Sequence, residues 1–396
     1  MAPVLLPSFL FAVGTGAMAP VLVLAALQLG ASEAFASAMI ALSAAVALVV
    51  TVPVGVTIDR IGDRRAMALA TASATVLIGV TIVVLAFPTR WSLPLYVAAL
   101  MLRTPAVLAW GLARQAVVAE TVAPSFRGQA MTALGGTMRA GNLVGPLVSA
   151  MLLWWWPMWS VFAFAALTAM LATGLLFIPA LTSTFDAQTA RSRASHTEDE
   201  IALRVDWRAV RLAGVAVATL AVGRVAQPII TALWGLRLGW TESQIALAVA
   251  VGAAIELLLM LPGGYLKDRL GRSPVLAICL AVYGAGFVLA PLWPTSLGFI
   301  VAIVIMSIGN GLGAGINMTI GADLSPVVGR ARFLSIWAIF TQAGMLGGPL
   351  AISGLLLVAS LPVAVASVGG LAIAGAVWTL AWAPVTRLPK GVTGAP

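Results

Sequence analysis

Charged residues are scarce in this sequence. Only 9% of the 396 residues are Asp, Glu, Lys or Arg, whereas an ordinary soluble domain carries about 25%. Hydrophobic residues make up 61% of the chain, and the mean hydropathy is +1.06. A chain this apolar cannot cover a globule with polar surface, so its surroundings must be largely lipid. The lipid bilayer is therefore the first partner that the sequence predicts.

Cysteine and histidine are nearly absent, with Cys279 in an apolar run and His196 in a polar segment. One cysteine cannot form an intrachain disulfide, and these two residues cannot supply a metal site. The sequence also lacks a Ser/His/Asp set and a G-x-x-x-x-G-K-[ST] phosphate-binding loop. We therefore expect no catalytic residues, metal or other cofactor. A membrane enzyme and a sensor are alternatives that these absences disfavour. The net charge of +9 comes without a basic stripe, so no nucleic-acid partner is expected.

Long apolar runs are what the sequence has in quantity. A membrane-spanning helix needs roughly 20 apolar residues. The pattern predicts an all-α membrane protein with two six-helix halves, residues 1–180 and 209–396, joined by a polar cytoplasmic linker at 181–208. The twelve predicted spans are 5–29, 34–58, 66–87, 94–119, 128–153, 158–180, 209–235, 243–266, 274–293, 296–322, 331–357 and 361–384.

Basic residues lie almost entirely on one side of these spans. Clusters such as Arg64 with Arg65 alternate with connections that hold only Arg90 or Arg237. Because the connections rich in Lys and Arg stay in the cytoplasm, both termini are predicted to be cytoplasmic. The predicted location is the bacterial inner (cytoplasmic) membrane, which the chain crosses many times.

The two halves resemble each other at a nearly fixed offset. Adding 209 to Asp59, Arg60 and Gly62 gives Asp268, Arg269 and Gly271, and a later offset of 203 matches Glu120 with Asp323. Charged positions are too scarce here for chance to align them. Repeated membrane halves are the architecture of alternating-access transporters, whose solute site lies near the midplane between the repeats. Since both halves lie in one chain, a monomer is expected.

The connections after the second and eighth spans carry the same motif. The first reads Gly55-Val-Thr-Ile-Asp59-Arg60-Ile-Gly62-Asp63-Arg64-Arg65, and the second reads Gly264-Tyr-Leu-Lys-Asp268-Arg269-Leu-Gly271-Arg272-Ser273. Both resemble the G-x-x-x-D-R-x-G-R-R/K motif of the major facilitator superfamily, with Asp63 where a basic residue is common.

The resemblance implies a conformational gate in which Gly55 and Gly264 permit close helix approach. Asp59 and Asp268 would then latch the cytoplasmic side near the eleventh and fifth spans. The alternative is that the motif residues have no gating role and only fix the membrane topology. The gate candidates are Gly55, Asp59, Arg60, Gly62, Arg64, Arg65, Glu120, Gly264, Asp268, Arg269, Gly271, Arg272 and Asp323.

The fifth predicted span contains Gly141-x-x-x-Gly145-Pro146, which Gly344-x-x-x-Gly348-Pro349 repeats in the eleventh. The first copy is similar to the core of the motif associated with antiporters of this superfamily, although Ser149-Ala150 replaces its usual glycine pair. Simple packing of small residues is the alternative reading. The resemblance therefore implies the drug:proton antiporter branch only through a partial match.

Charged residues inside membrane spans are costly and indicate function. Glu256 is the one acid predicted deep in a span, and Arg139 lies at a similar depth, roughly 17 Å from the cytoplasmic start of its helix by helical rise. The fold of the superfamily implies that their spans meet. We hypothesise an Arg139–Glu256 salt bridge that exchanges protons during the transport cycle, with a permanent structural ion pair as the equal alternative.

Polar and aromatic residues on the cavity-type spans are candidates for solute contact. They are Thr15, Arg103, Trp110, Arg224, Gln227, Trp234, Asn310 and Asn317. An apolar pocket with few polar anchors suits drug-like organic compounds, which favours a proton-coupled exporter of small organic or drug-like molecules. Two arginines without a cavity acid suit an anionic group instead, which favours an importer or exchanger of organic anions. The sequence leaves both hypotheses open.

Overall fold

The computed structural model describes residues 2–121, 127–176, 205–326, 330–386 and 388, which form fourteen helices. The helices are α1 (Ala2–Met18), α2 (Val21–Gln28), α3 (Glu33–Ile61), α4 (Asp63–Ala86), α5 (Ser92–Thr121), α6 (Arg127–Trp155), α7 (Trp159–Leu176), α8 (Trp207–Arg237), α9 (Glu242–Leu270), α10 (Arg272–Leu292), α11 (Ser296–Leu312), α12 (Ile316–Leu324), α13 (Arg330–Val358) and α14 (Leu361–Thr386).

These helices confirm the predicted all-α membrane fold. Among the described residues, ten helical segments are long and apolar enough to cross a membrane, with α11 and α12 counted as one segment. The bent pair α1–α2 makes an eleventh, and α6, which has 29 residues and packs along α1, covers the predicted span 128–153. The predicted spans agree with the observed ones because an apolar run of this length has few alternatives to a helix in lipid.

Two spans are interrupted where continuous helices were predicted. The first bends by 44° between α1 and α2, where Pro20 lacks the N–H that would continue the helical hydrogen bonds. The tenth is interrupted at Gly313–Gly315, between α11 and α12. Gly315 has φ +76°, in the left-handed region that favours glycine. The predicted spans 5–29 and 296–322 therefore each correspond to two consecutive helices that together are long and apolar enough for one membrane crossing.

The chain forms two compact units with the same internal order of packing. In unit 1, α1 packs on α6 and α7, and α4 packs on α5 and α7. In unit 2, α8 packs on α13 and α14, and α10 packs on α11 and α14. These pairs correspond to one another in the sequence repeat. The predicted linker 181–208 lies outside the described residues up to residue 204.

Each unit also includes the first turns of a helix from the other repeat. Unit 1 contains the described residues of Met1–Ser32, Leu42–Glu198 and Glu242–Ala250, and unit 2 contains those of Glu33–Ala41, Asp199–Thr241 and Val251–Pro396. In unit 1 the Ser243 hydroxyl donates to the Ala150 carbonyl at 2.7 Å, and in unit 2 the Ser353 hydroxyl donates to the Ala34 carbonyl at 2.9 Å. Ser243 and Ala34 occupy equivalent positions in the two repeats, and so do Ser353 and Ala150. The two hydrogen bonds therefore join the same pair of positions, but the position that donates in one unit accepts in the other.

Candidate functional site

A connected group of polar side chains lies within unit 2. On α8, Arg224 donates from Nε to Asn310 Oδ1 of α11 at 2.7 Å. Gln227, one turn further along α8, accepts from the Tyr283 hydroxyl of α10 at 2.6 Å and donates to Ser307 Oγ at 3.4 Å. We call Arg224, Gln227, Tyr283, Ser307 and Asn310 the Arg224 cluster. Spacing of three residues places Arg224 and Gln227 on one face of α8, so the fold gathers three predicted cavity residues in one place.

Glu256 lies beside this cluster in the same unit. It is partly buried on α9, and its carboxylate and the Arg224 guanidinium both act electrostatically on Tyr283. Gly311 packs so closely on α9 that a Cβ there would lie 2.9 Å from the Glu256 Cα. The deep acid predicted from the sequence is therefore held near a network of neutral hydrogen-bonding groups and one arginine.

Arg139 belongs to unit 1 and Glu256 to unit 2. Arg139 is partly buried on α6. Their predicted pairing stays a hypothesis, to be tested in solution.

Unit 1 contains a narrow crevice around Arg103 of α5. The crevice is tightly packed, with no room for a water-sized group, and is lined by Phe11, Gly14, Thr15, Met18, Ala74, Ile78, Arg103, Ala165 and Ala169. Among the described residues, no acidic side chain forms an ion pair with Arg103. Arg103 interacts electrostatically with Tyr96, whose hydroxyl donates to the Leu22 carbonyl at 2.8 Å. The crevice therefore offers one guanidinium and one hydroxyl, that of Thr15, on an otherwise apolar wall.

Three other predicted cavity residues take up packing positions. Trp110 is 2% exposed and stacks on Phe11 with ring centroids 4.9 Å apart. Trp234 is fully buried against Phe299. The amide of Asn317 donates to Thr341 Oγ1 at 2.8 Å and accepts from Trp337 Nε1 at 2.7 Å, which ties α12 to α13. Contact between a solute and Trp110 or Trp234 would require their neighbours to rearrange, because neither ring presents a free surface.

The second copy of the loop motif forms a charge network within unit 2. Arg272 donates to Asp323 Oδ2 and to Asp268 Oδ1, each at 3.0 Å. Asp268 is 77% exposed in its side chain, so that pair contributes little to stability. Arg269 lies over the Tyr265 ring at 4.6 Å. Asp268, predicted to latch the fifth span, is bound here by the arginine one turn later.

The side chains of the first copy of the loop motif are described only in part. Arg64 donates to the Leu176 carbonyl at 3.1 Å, whereas Arg60 and Arg65 are exposed. The side chains of Asp59 and Glu120 lie outside the described residues. Gly62 and Gly271 have φ +87° and +89° at the start of α4 and α10, a backbone form that requires glycine at both motif copies.

Close helix approach at Gly55 and Gly264 is not seen. A Cβ at either position would meet no described atom within 4 Å. The close approach is one residue earlier in the second copy, where a Cβ on Gly263 would lie 2.5 Å from the Leu312 carbonyl oxygen. The role of Gly55 and Gly264 in a gate stays a prediction, since a motif identifies a glycine without showing the direction that its missing side chain faces.

The antiporter-like motif lies at the contact between α6 and α1. A Cβ on Gly141 would lie 2.5 Å from the Ala12 carbonyl carbon, and a Cβ on Gly145 would lie 2.6 Å from the Val13 carbonyl oxygen. Pro146 continues the same helix. Within unit 1 these residues bring two backbones together, as small residues do in membrane helices.

Sequence reasoning missed Tyr283, Ser307 and Lys267. The first two complete the Arg224 cluster, and the Lys267 ammonium donates to the Ala314 carbonyl at 2.5 Å. Tyr283 and Ser307 lie in apolar runs and gave no motif. Lys267 occupies an x position of the loop motif, where the motif predicts no particular residue.

Comparison with known proteins gives a family match over nearly the whole chain and shorter matches to individual proteins. A family model described as the Major Facilitator Superfamily matches residues 4–232 and 212–395. The inner membrane transport protein YajR of Escherichia coli (strain K12) is 30% identical over 109 residues, which are 27% of this chain and 23% of that protein. The probable polyol transporter 4 of Arabidopsis thaliana is 31% identical over 108 residues, which are 27% of this chain and 20% of that protein.

Solved structures with the same fold cover nearly the whole chain. A POT family transporter in complex with a thioalcohol-conjugated peptide has a TM-score of 0.75 at 14% identity, with 97% of this chain and 96% of that chain covered. A D-xylose–proton symporter has a TM-score of 0.73 at 15% identity, with 98% of both chains covered. The human organic anion transporter MFSD10 has a TM-score of 0.66 at 13% identity, with 95% of this chain and 98% of that chain covered. At these identities the likeness is one of fold.

Proposed function

Because the chain belongs to the Major Facilitator Superfamily, we propose that it exports small organic or drug-like compounds in exchange for protons, by alternating access. It is a membrane transporter and not an enzyme. The finer assignment rests on its own residues, because the solved relatives range from peptide to sugar to organic-anion transporters on one fold.

The position of Glu256 carries the proposal. It is the acid deepest in a predicted span, and its helix packs against the helices of the Arg224 cluster: a Cβ on Gly311 would lie 2.9 Å from the Glu256 Cα, and a Cβ on Gly252 would lie 3.7 Å from Gln227 Nε2. A carboxyl group in such a site can hold a proton in one state of the transporter and release it in another when water and cations change around it. Tyr283 and Gln227 supply hydroxyl and amide groups next to it, through which a solute can replace protein hydrogen bonds.

The proposed cycle uses the two units as the moving parts. With both termini in the cytoplasm, solute enters from the cytoplasmic side and leaves outside while a proton moves inward through Glu256. Arg139 would favour the ionised carboxylate when it is near, and its withdrawal would favour proton uptake. The motif residues around Arg272 and Arg64 lie at the predicted cytoplasmic ends, where opening and closing must occur.

Proton flux in proteoliposomes tests this assignment. The purified protein is reconstituted, a pH gradient is imposed, and cationic, neutral and anionic organic solutes are added one class at a time. We expect proton movement that depends on the presence of a transported solute. Solute movement without proton flux would contradict proton coupling and leave exchange of solutes as the function.

Transport of organic anions is a second candidate, which the crevice around Arg103 favours. A guanidinium that has no acidic ion-pair partner among the described residues, on an apolar wall, is suited to a carboxylate or phosphate, because arginine can donate two parallel hydrogen bonds to it. The crevice has no room for a water-sized group in this structure, whereas typical ligand pockets have roughly 300–1,000 Å³. Binding the acidic group of a solute would therefore require the helices around Arg103 to separate during the transport cycle.

Replacing Arg103 by glutamine separates these two candidates. If the solute is an anion, Arg103→Gln should reduce its transport about tenfold or more, since a charge-assisted hydrogen bond at a low-dielectric site is lost. Transport of neutral and cationic compounds should be unchanged. Arg103→Lys keeps the charge without the planar fork and should give an intermediate rate. Equal loss for all three solute classes would indicate a packing role for Arg103 and contradict anion recognition.

A further inference from the structure

The interruption of the tenth span exposes backbone groups inside unit 2. α11 ends at Leu312 and α12 begins at Ile316, with Gly313, Ala314 and Gly315 between them. A break disturbs the helical hydrogen bonds of nearby carbonyl groups, and here the Gly313 carbonyl accepts from the Ile316 N–H at 3.1 Å across the turn. In a membrane protein, such a segment is stable only where it is enclosed by protein and its carbonyl groups find other donors.

Two cationic side chains from two other helices bind the carbonyl groups of this break. Arg224 of α8 donates from Nη2 to the Gly313 carbonyl oxygen at 3.0 Å. Lys267 of α9 donates from Nζ to the Ala314 carbonyl oxygen at 2.5 Å. Lys267 is only 7% exposed, and a lysine is rarely buried without a compensating partner. The hydrogen bond therefore stabilises both the buried Lys267 ammonium group and the Ala314 carbonyl group at the break.

The other repeat lacks both features. With the offset of 209, Lys267 corresponds to Ile58, which is buried in an apolar cluster of unit 1. With the offset of 203, Gly313 and Gly315 correspond to Trp110 and Leu112, and the helix that holds them, α5, runs unbroken from Ser92 to Thr121. The lysine and the broken helix thus occur together in one repeat and are replaced together in the other.

We propose that Lys267 is a positioning residue for the Arg224 cluster. Arg224 binds Asn310, just before the break, and Gly313, within it. By fixing Ala314, Lys267 sets the shape of the segment that holds the Arg224 guanidinium. This deepens the proposed function, since the Arg224 cluster is part of the proposed solute path, but the placement of Arg224 depends on Lys267 whatever the solute.

The single cysteine of the chain provides the measurement. Cys279 is fully buried, and its Sγ would lie 3.4 Å from a Cβ on Gly313. The rate of Cys279 alkylation by N-ethylmaleimide in reconstituted protein therefore reports opening at the break. This readout needs no solute, so it can fail or succeed separately from the transport assignment.

Lys267→Met should increase the alkylation rate about tenfold or more, because loss of an ion-to-carbonyl hydrogen bond favours local opening by roughly that factor. Lys267→Arg, which keeps a cation, should react close to the wild-type rate. Arg211→Gln, which removes an exposed cation elsewhere on α8, should have no effect. Lys267→Gln keeps an N–H donor without charge and should react at an intermediate rate; it replaces the Met variant if that variant does not fold.

A double-mutant cycle tests the positioning role itself. Arg224→Gln should also accelerate alkylation, and its combination with Lys267→Met should fall well short of the product of the two single effects, because both cations hold one segment. Wild-type reactivity of both Lys267→Met and Lys267→Gln would overturn the proposal. So would independent, multiplying effects of Lys267→Met and Arg224→Gln, or a Lys267→Arg variant that reacts as fast as Lys267→Met.

Discussion

Replacement of Glu256 by glutamine is expected to abolish solute-driven proton movement in proteoliposomes. Glutamine keeps the size and hydrogen-bonding capacity of the side chain, so the packing of Gly311 on α9 is retained. It cannot take up or release a proton in the accessible pH range. If Glu256 is the proton carrier, proton flux should fall to the level of protein-free liposomes. Solute exchange down its own gradient should continue, because it needs no protonation step.

The control for this experiment lies on the same helix. Glu242→Gln also removes one carboxylate from α9, but at its first residue and away from the Arg224 cluster. We expect proton flux within about twofold of wild type for Glu242→Gln, since a carboxylate at a helix start contributes less than roughly 1 kcal/mol to stability. Glu256→Asp should retain proton coupling at a reduced rate. Full solute-driven proton flux in Glu256→Gln would assign the coupling site to another residue.

Most of the fold was predictable because lipid leaves few choices. Within the described ranges, the apolar runs form helices whose ends lie within a few residues of the predicted ones, except at residues 19–20 and 313–315; the predicted end of the sixth span at residue 180 lies outside those ranges. Pro20 gives a local reason for the first interruption. The second has no decisive local signal, since glycine is common in continuous membrane helices. Arg224 and Lys267, which are distant in sequence, bind the carbonyl groups that the break exposes.

The residues of the candidate site were predictable where the chemistry of a side chain restricts the places in a membrane protein that it can occupy. Arg224, Gln227 and Asn310 cannot face lipid without large cost, and they lie together in unit 2. Aromatic residues follow no such restriction. Trp110 and Trp234 are compatible with lipid, a cavity wall or a protein core, and the structure places both in cores. The side-chain direction of a residue on an apolar helix depends on its neighbours, which the pattern of one span does not contain.

The packing of α6 on α1 leads to the second large expected effect. Gly145 lies so close to α1 that an added Cβ would meet the Ala17 nitrogen, the Gly16 carbonyl carbon and the Val13 carbonyl oxygen. All three are backbone atoms, which cannot rotate away. Gly145→Ala should therefore separate the two helices, and overpacking of this kind costs about 1–3 kcal/mol. We expect a lower thermal midpoint in detergent and lower yield of folded protein.

Gly79→Ala is the matched control for this prediction, because Gly79 lies within α4 of the same unit and an added Cβ there would meet no described atom within 4 Å. Alanine is favoured over glycine inside a helix by about 0.5–1 kcal/mol, so Gly79→Ala should leave the thermal midpoint unchanged or raise it slightly. The same gain acts at Gly145, where the steric cost exceeds it. A Gly145→Ala variant as stable as wild type would show that α1 can move away from α6 without loss, and the motif would then have to be explained by coupling instead of by packing.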